Sequence, residues 1–313
     1  MNLILVLGET ILDMTPVGST ASGESRFETA LGGSAYNTAR ALGALGARVA
    51  FAGAVSRDSW GARFRAALVA KDVDCALLRN SEKPMPLALV SPEGAHGPAF
   101  TLYLAGTAHE DAQAPDARPE GVAHVHVSSF HACVPPTGAG VLALMGKARG
   151  GASVSFDPNI RPSVLPPRAD ALALVEERVR LSDIVKASAQ DMRWLYPALN
   201  PLDAMAAWSG MGPRLAVLTK GELGVTAFTA DGRFHALAPA VDVVDTVGAG
   251  DAFTAALLAE MARGGALGPD AAPIDPEALR RWLTFASACA AWTCARRGAQ
   301  APGRKDIALP GFM

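Results

Sequence analysis

The chain has 313 residues, of which 50% are hydrophobic and 19% charged, and its formal net charge at pH 7 is −2. This length and composition suit one large α/β domain with a buried core. The chain carries no Lys/Arg-rich block, which argues against nucleic acid or an anionic membrane as a partner. Four cysteines without CxxC spacing favour reduced thiols in a cytoplasmic protein over a disulfide framework.

The first apolar run, MNLILVLGETILDM, lacks a basic flank and is too short to span a bilayer, so it predicts a buried strand over Leu3–Leu7. Strand-like and helix-like segments then alternate, which predicts βαβ units around a parallel sheet buried on both faces. Such sheets bind ligands beyond the carboxyl ends of their strands. The predicted helices are Ser34–Leu45, Trp60–Ala70, Gly138–Arg149, Ala171–Leu181 and Pro276–Arg297, and the further strands are Arg48–Ala54, HVHVSSF, ASVSFD, DIVKAS and PRLAVLTKG.

Two stretches depart from this alternation. Residues about 10–31 and 84–108 alternate polar and apolar side chains with period two around turn residues, without an intervening helix. That pattern is typical of antiparallel strand pairs. We expect the two stretches to form one small sheet that covers a site as a lid.

The segment VVDTVGAGDAF places glycines and a carboxylate at the start of a helix-like run. Unpaired amides at a helix N-terminus, with glycines that let a ligand approach, form a cradle for an anion. Asp251 follows Gly248, Ala249 and Gly250 at once, and its carboxylate would repel a bound phosphate. Two interpretations stay open from these residues: a favourable acidic residue in the first helical turn, or a base beside an oxyanion hole.

Other known nucleotide- and metal-binding motifs do not match this sequence. The dinucleotide fingerprint GxGxxG has Phe253 at its third glycine, and GVLALMGKA, from Gly140, has one residue too many for a phosphate-binding P-loop. His124, His126 and His131 stand near one strand without a third ligand at a suitable spacing. We therefore expect core or surface histidines rather than a metal site.

VVDTVGAGDAFTAALLA closely resembles the C-terminal signature of the ribokinase (PfkB) family of carbohydrate kinases, and Ala30–Gly61, beginning ALGGSAYN, resembles its N-terminal signature. The resemblance implies a single ribokinase-like domain over residues 1–313: a three-layer α/β/α sandwich with a mostly parallel central sheet and a small β-sheet lid. LGETILDMTP, SFDPNIRPSVLP, DIVKASAQDMRWLYP and CARRGAQAPGR resemble the fructokinase branch. Related 2-keto-3-deoxygluconate kinases share several of these segments.

The resemblance implies a role for each matching residue. Asp251 would deprotonate a primary hydroxyl of the sugar, and the amides of Gly248, Ala249 and Gly250 would stabilise the transferring phosphoryl group. Asp13 and Asn37 could also be a plain turn residue and a helix-surface residue. The implied sugar-binding residues are Asp13, Gly32, Gly33, Asn37, Tyr103 and Arg161, the last also facing phosphate.

The resemblance also implies ATP, Mg²⁺ and K⁺ as cofactors. Asp191 would order Mg²⁺ through water, because this ion keeps much of its hydration shell. The implied nucleotide-binding residues are Lys186, Ser188, Thr219, Lys220, Gly221, Gly224, Ala286 and Ala290, the two alanines beside adenine. The implied K⁺ residues are Asp245, Val247, Thr293, Arg296 and Gly298.

The lid departs from the fructokinase pattern: Leu104 stands where an arginine is expected and His109 where an aspartate is. Loss of the arginine removes a charge and five donors, which argues against an acidic substrate. We expect an ATP-dependent sugar kinase acting on fructose, with a homodimer formed through the lid. The alternatives are a kinase for 2-keto-3-deoxygluconate, ribose or a nucleoside, and a non-catalytic sugar-binding regulator.

Overall fold

The computed structural model describes residues 2–91 and 99–308, which form a large sheet, a small sheet and eight helices. The strands are β1 (Leu3–Leu7), β2 (Ile11–Ser19), β3 (Ser25–Gly32), β4 (Val49–Ser56), β5 (Val73–Asp74), β6 (Leu78–Ser81), β7 (Leu87–Ser91), β8 (Ala99–Tyr103), β9 (Val122–Ser128), β10 (Ser153–Asp157), β11 (Ile184–Ser188), β12 (Leu215–Thr219), β13 (Val225–Thr229) and β14 (Gly232–Ala236). The helices are α1 (Ser34–Ala44), α2 (Ser59–Val69), α3 (Gly138–Ala148), α4 (Arg168–Arg180), α5 (Ala189–Leu195), α6 (Pro201–Ser209), α7 (Ala249–Arg263) and α8 (Pro276–Cys294).

The large sheet runs in the order β14-β13-β12-β11-β10-β9-β1-β4-β5, and β6 pairs with the end of β4. Pairing is parallel from β5 through β12, while β13 and β14 add an antiparallel edge. The mostly parallel sheet is therefore confirmed. The carboxyl ends of β1, β9, β10, β11 and β12 meet at one edge of this sheet.

Helices cover both faces of the large sheet. Ile4 and Val6 of β1 join a core cluster with α1, α2, α7 and α8, and Leu5 and Leu7 join a second cluster with α3 to α6. Successive strand residues point to opposite faces, so a continuous apolar run fills both cores. The result is the expected three-layer α/β/α sandwich. Among the described residues, no helix has both the length and the apolar character needed to cross a bilayer.

The small sheet has the order β3-β2-β7-β8, with antiparallel pairs β2/β3 and β7/β8 joined by a parallel β2/β7 contact. It confirms that the two period-two stretches form one sheet. The predicted segment 84–108 includes residues 92–98, which lie outside the described residues. The sheet stands over the carboxyl edge of the large sheet and forms one wall of a cavity there.

The predicted helices are confirmed with ends shifted by up to three residues, and α8 shows why. It ends at Cys294 rather than at Arg297, because the chain turns there and the Gly298 amide donates to Asp245 Oδ2 at 2.8 Å. A hydrogen bond across 53 residues of sequence thus holds the chain just beyond this helix, and the apolar pattern around Arg297 does not reveal it.

Candidate active site

A cavity of about 650 Å³ lies between the small sheet and the carboxyl ends of the parallel strands. Its walls come from the lid, the first turns of α1 and α7, and the loops after β9 to β12. The lining residues include Glu9, Ile11, Asp13, Gly33, Ser34, Asn37, Ala88, Phe100, Leu102, Phe130, Asn159, Arg161, Lys186, Ser188, Asp191, Thr219, Gly221, Val247, Gly248, Gly250 and Asp251.

Asp251 lies in the first turn of α7 and is only 6% exposed. Ser34 Oγ donates to its Oδ1 at 2.7 Å, and Asn37 Nδ2 donates to its Oδ2 at 2.9 Å. Burial raises the pKa of Asp251 above its usual value, although these two hydrogen bonds and the charge of Lys186 act against that shift. A buried, oriented carboxylate of raised pKa has the properties of a general base.

The loop before Asp251 forms a helix N-terminus on the cavity. Gly248 has φ 78°, and a Cβ there would lie 2.4 Å from that of Ala299, so a side chain is excluded. Gly248 and Gly250 line the cavity, whereas the Ala249 amide donates to the Thr246 carbonyl at 3.3 Å. Two of the three predicted anion-hole positions thus border the space beside Asp251.

Glu9, which the sequence analysis did not single out, lies beside the same helix turn. It follows β1, is 4% exposed, and its Oε1 accepts from the Ser34 amide at 2.8 Å. Burial raises the pKa of Glu9 to about 7, and the nearby Asp251 charge adds to the shift. A carboxylate directly after the first parallel strand was the available signal, since ligands bind at that edge.

Gly32 makes room for the Asp13 carboxylate, and Gly33 makes room for the Glu9 carbonyl. A Cβ on Gly32 would lie 2.2 Å from Asp13 Oδ2, and one on Gly33, at φ 111°, would lie 2.3 Å from the Glu9 carbonyl oxygen. Burial raises the pKa of Asp13 to about 7, with Arg161 acting against the shift. Asp13 therefore lies on the cavity wall in a poorly hydrated position.

Arg161 lies on the lid side of the cavity. Its guanidinium packs over the Phe100 ring with 5.2 Å to the ring centroid, and its Nη1 donates to Asn159 Oδ1 at 2.8 Å. Its charge lowers the pKa values of Asp13 and Glu9 against the effect of burial. Arg161 is thus a cation that faces the carboxylates Asp13 and Glu9.

Lys186 forms a buried ion pair next to the α7 turn. Its Nζ lies 2.7 Å from Asp157 Oδ2, and the two side chains are 8% and 2% exposed. Thr254 Oγ1 also donates to Asp157 Oδ2, at 3.3 Å. Burial acts to lower the pKa of Lys186, but Asp157 outweighs it and the pKa is raised, so the ammonium stays charged. A Cβ on Gly250 would lie 3.0 Å from Nζ, which places this cation at the α7 N-terminus.

Asp191 is the third residue of α5 and forms a capping box with Ser188. Its Oδ2 accepts from the Ser188 amide at 2.8 Å and hydroxyl at 2.6 Å, while its Oδ1 accepts from the Ile160 amide at 2.9 Å. Both oxygens are thus held by the protein, and among the described residues no cluster of three His, Cys, Asp or Glu could hold a metal ion. The donor set fits a water-mediated contact to Mg²⁺ better than direct coordination.

The loop after β12 brings part of the predicted nucleotide set to the cavity. Thr219 and Gly221 line it. Lys220 instead donates from Nζ to Thr226 Oγ1 at 2.9 Å, and Gly224, at φ 75°, lies so close to the Ala236 carbonyl oxygen that a Cβ would come within 2.2 Å. Lys220 and Gly224 thus shape the loop beneath the cavity.

The predicted cation residues come together at the junction of two loops. Asp245 accepts from the Val247 amide at 3.0 Å and from the Gly298 amide at 2.8 Å, and the buried Thr293 hydroxyl donates to the Gln300 carbonyl at 2.8 Å. Arg296 differs, because its guanidinium stacks on Trp292 at 3.6 Å. One carboxylate and the backbone of two loops therefore meet beside Gly248, whereas the Arg296 side chain packs on Trp292.

Several predicted residues lie elsewhere. Tyr103 is 55% exposed and is not among the lining residues of the described chain, since Phe100 and Leu102 occupy the inner face of β8. Ala286 is completely buried in the core, so this side chain packs α8 and does not reach a ring in the cavity. Ala290, partly buried, also packs against that core.

Leu104 and His109, the two residues at which the lid departs from the family pattern, lie behind the cavity wall. Leu104 packs against the second core cluster. His109 is 6% exposed and packs against Phe130 and His131, with centroid distances of 5.5 and 5.8 Å. Burial lowers the pKa of both histidines, to about 3 for His131. The substitutions thus make an apolar, neutral support for the wall.

His124 and His126 are buried core residues. The His124 ring contacts Ser153 Oγ at 2.7 Å and Ser155 Oγ at 2.8 Å, and His126 Nδ1 contacts the same Ser155 hydroxyl at 2.8 Å. These histidine and serine side chains form a row of hydrogen bonds between β9 and β10, which supports the interpretation of His124 and His126 as core residues rather than metal ligands.

Comparison with known proteins places this geometry in a family. The model of the pfkB family carbohydrate kinases matches residues 1–306. The chain is 34% identical over 283 residues to a fructokinase of Rhizobium leguminosarum bv. trifolii, covering 89% of this chain and 86% of that protein.

Similar solved structures include two at 25% identity. One is a double-mutant fructokinase of Vibrio cholerae O395 bound to fructose, ADP and a potassium ion, with a TM-score of 0.82 and coverage of 98% of this chain and 97% of that one. The other is aminoimidazole riboside kinase of Salmonella enterica with aminoimidazole riboside and an ATP analogue, with a TM-score of 0.78 and 95% coverage of both chains. The chain belongs to the pfkB family of carbohydrate kinases and is an ATP-dependent sugar kinase.

Proposed function

We propose that this kinase transfers the γ-phosphoryl group of ATP to the primary hydroxyl of fructose, with Asp251 as the general base. The observation that carries the mechanism is the shared cavity: Asp251, the Gly248 and Gly250 backbone, and the predicted sugar residues Asp13 and Asn37 all border it. Fructose is favoured because the curated relatives are fructokinases, including those of Salmonella typhimurium and Klebsiella pneumoniae.

The sugar would bind at the acidic end. Asn37 donates to Asp251 through Nδ2, and its Oδ1 has no hydrogen-bond partner among the described residues, which leaves an acceptor for a hydroxyl. Asp13 offers further acceptors, and Ile11 and Leu102 contribute apolar surface. In this arrangement Asp251 takes the proton of the primary hydroxyl as the oxygen attacks phosphorus.

The phosphoryl group would lie over the α7 N-terminus. The helix dipole, the Gly248 and Gly250 amides and the buried Lys186 ammonium all place positive potential there. Phosphoryl transfer depends mainly on positioning and charge stabilisation, so these fixed groups need little movement during reaction. Thr219, Gly221 and Ser188 would border the rest of the nucleotide. Mg²⁺, reached from Asp191 through water, would neutralise phosphate charge.

A monovalent cation would bind beside this anion hole. Asp245, Val247, Thr293 and Gly298 lie where the two loops meet, and the similar Vibrio cholerae structure contains a potassium ion. Turnover compared in K⁺ and in a bulky organic cation tests the proposal. Equal rates in the two salts would exclude cation activation.

A nucleoside is the second candidate acceptor, because the similar Salmonella enterica structure is an aminoimidazole riboside kinase. The acid 2-keto-3-deoxygluconate is less favoured. Glu9, Asp13 and Asp251 border the cavity with two cations, Arg161 and Lys186. Lys186 is already paired with Asp157, so an anionic sugar would find little free positive charge at this end.

A panel of fructose, ribose, aminoimidazole riboside and 2-keto-3-deoxygluconate, assayed by ADP release, tests the acceptor. We expect the highest kcat/KM with fructose, and no turnover of fructose would overturn the choice. Melting temperature with each sugar is the parallel measurement, since a ligand that binds the native state raises it. A sugar that raises the melting temperature without being phosphorylated would instead support a non-catalytic regulator.

We also propose a homodimer through the lid, within a single domain spanning residues 1–313 and located in the cytoplasm. Beyond Met14 every residue of β2 is exposed, including Val17 at 47%, and Phe27 on β3 is 39% exposed. A two-stranded ribbon that projects alone is marginally stable in water, so a second copy is the partner that fits. Sedimentation of Val17→Asp should then show a monomer where the unmodified protein sediments as a dimer, and identical sedimentation would contradict the interface.

A further inference from the structure

Ser34 connects two buried carboxylates. Its amide donates to Glu9 Oε1 at 2.8 Å, and its hydroxyl donates to Asp251 Oδ1 at 2.7 Å. Glu9 is 4% and Asp251 6% exposed, so solvent screens their charges only weakly. Glu9 Oε2 has no hydrogen-bond partner among the described residues, so the charge of Glu9 is only half satisfied.

The first turn of α1 depends on this contact. Gly33 is the N-cap and offers no side chain, and Glu9 supplies an acceptor for the Ser34 amide from outside the helix. Ser34 and Asn37, one turn apart, are the two residues that hold Asp251. Glu9 therefore sits at the base of the structure that orients Asp251.

We propose that Glu9 is a positioning residue for the Asp251 base: it seats Ser34 against Asp251 and, when ionised, strengthens Asp251 as a base. The inference rests on the proposed role of Asp251. The charge of Asp251 acts on Glu9, and such an interaction is reciprocal, so the ionisation of Glu9 changes the proton affinity of Asp251.

The charges around the pair decide where it titrates. Asp251 faces Glu9 from α7, Asp13 from the lid, and Arg161 from the loop after β10. Lys186, paired with Asp157, faces Asp251 from β11. Burial raises the pKa of Glu9 to about 7, above the ordinary value of 4.5, and the Arg161 charge only partly opposes this. Ionisation of Glu9 near neutral pH adds negative charge beside Asp251, which makes Asp251 bind a proton more tightly.

A simple helix cap is the alternative role for Glu9, and Glu9→Gln separates the two. Glutamine keeps an oxygen that accepts from the Ser34 amide but cannot ionise. If Glu9 only seats α1, the glutamine variant should behave like the unmodified enzyme at every pH.

The experiment is the pH dependence of kcat and kcat/KM for Glu9→Gln. We expect the activity of Glu9→Gln to reach its plateau at a pH about 1 unit lower, because Asp251 becomes a weaker base and loses its proton at lower pH. The plateau itself should be about three- to ten-fold lower, because a weaker base accepts the proton of the sugar hydroxyl less readily. KM for the sugar should change by less than about twofold, since the variant alters the base rather than the sugar contacts. Glu277→Gln, on an α8 glutamate that is 76% exposed, is the charge-matched control and should follow the unmodified profile.

Glu9→Ala, which removes both the seat and the charge, should lower kcat further and also lower the melting temperature. A Glu9→Gln profile that superimposes on that of the unmodified enzyme would overturn the proposal and leave Glu9 as a cap. The Asp251→Asn variant tests the proposed function separately. If that variant kept its activity, the assignment of Asp251 as the base would be wrong, whatever Glu9→Gln showed.

Discussion

The α1–α7 junction and the lid border the same cavity and are built in opposite ways. At the junction, Asp251 is 6% exposed and both its oxygens accept hydrogen bonds from α1. In the lid, Phe27 is 39% and Tyr103 55% exposed. We infer that the junction is preorganised for chemistry, whereas the lid contributes to sugar binding.

The difference follows from packing. The junction lies on two helices whose buried faces belong to one core, so a shift of α1 would disturb many contacts. The lid sheet has one face on the cavity and little behind its outer strands. Substitutions at the junction should therefore lower kcat or stability, and substitutions in the lid should change KM.

The largest effect is expected for Asp251→Asn. Loss of the base should lower kcat by about 10²–10⁴-fold, while ATP binding measured by calorimetry persists. Asp231→Asn, in an exposed turn, is the matched control and should keep full activity. A kcat within tenfold of the unmodified enzyme would show that Asp251 is only a favourable residue in the first helical turn.

Lys186→Met tests the buried ion pair of the junction. It leaves Asp157 buried without its cation, which should destabilise the fold by about 3–5 kcal/mol in urea denaturation and also lower kcat. Combining it with Asp157→Asn removes the unpaired charge, so stability should largely return while activity stays low. Equal stability of the single and double variants would contradict the pairing.

Asp13 lies on the lid strand β2 and interacts with the charge of Asp251 at the junction, and its ionisation makes protein stability depend on pH. Its pKa is raised to about 7 in the folded protein, above the ordinary 3.8, because desolvation and the nearby carboxylates disfavour its charged form. The folded state therefore binds the proton of Asp13 more tightly than the unfolded state does. This contribution to the free energy of unfolding is complete below about pH 3.8 and is lost as pH rises through about 7.

The Asp13→Asn variant cannot ionise at this position, so it lacks this loss of stability at higher pH. Relative to the unmodified protein, its melting temperature should rise by about 4 °C between pH 5 and pH 8, because the two pH units between 5 and the raised pKa of about 7 correspond to about 2.7 kcal/mol. Differential scanning calorimetry at the two pH values measures it, with Asp231→Asn as the control. A constant difference between variant and unmodified protein would mean that Asp13 has an ordinary pKa.

Neighbouring lid residues give the smallest effect and test the register of β8. Leu102 faces the cavity and Tyr103 faces away. Leu102→Ala should raise KM for the sugar about three- to ten-fold, because one apolar contact contributes about 1 kcal/mol. Tyr103→Ala should leave KM within about twofold. The reverse order would mean that β8 presents its other face to the sugar.

Much of the fold could be predicted because it depends on local pattern. Apolar runs such as Leu3–Leu7 predict buried strands, and both period-two segments predict the lid sheet. The antiparallel edge formed by Val225–Thr229 and Gly232–Ala236 was not predicted, nor were the helices Ala189–Leu195 and Pro201–Ser209. These elements are short, and short segments carry too few residues for their period to be distinctive.

The candidate site was predicted only where a motif marked it. Asp251, Gly248 and Gly250 stand together in one segment, so both the local chemistry and the family resemblance indicated them. Glu9 and Ser34 were missed because their importance lies in contacts with each other and with Asp251. The Ser34–Asp251 hydrogen bond joins residues 217 positions apart, and no local pattern reports such a pairing.

The sequence by itself determined the fold class, the lid and the identity of a carboxylate beside an anion cradle, because periodicity and helix-terminus chemistry are local properties. Only the tertiary structure decided which side chains surround that carboxylate. It brought Glu9, Ser34 and Lys186 to the α7 N-terminus and turned Tyr103 and Ala286 away from the cavity. Burial and charge proximity, which shift the pKa values of Glu9, Asp13 and Asp251, arise only when distant segments pack together.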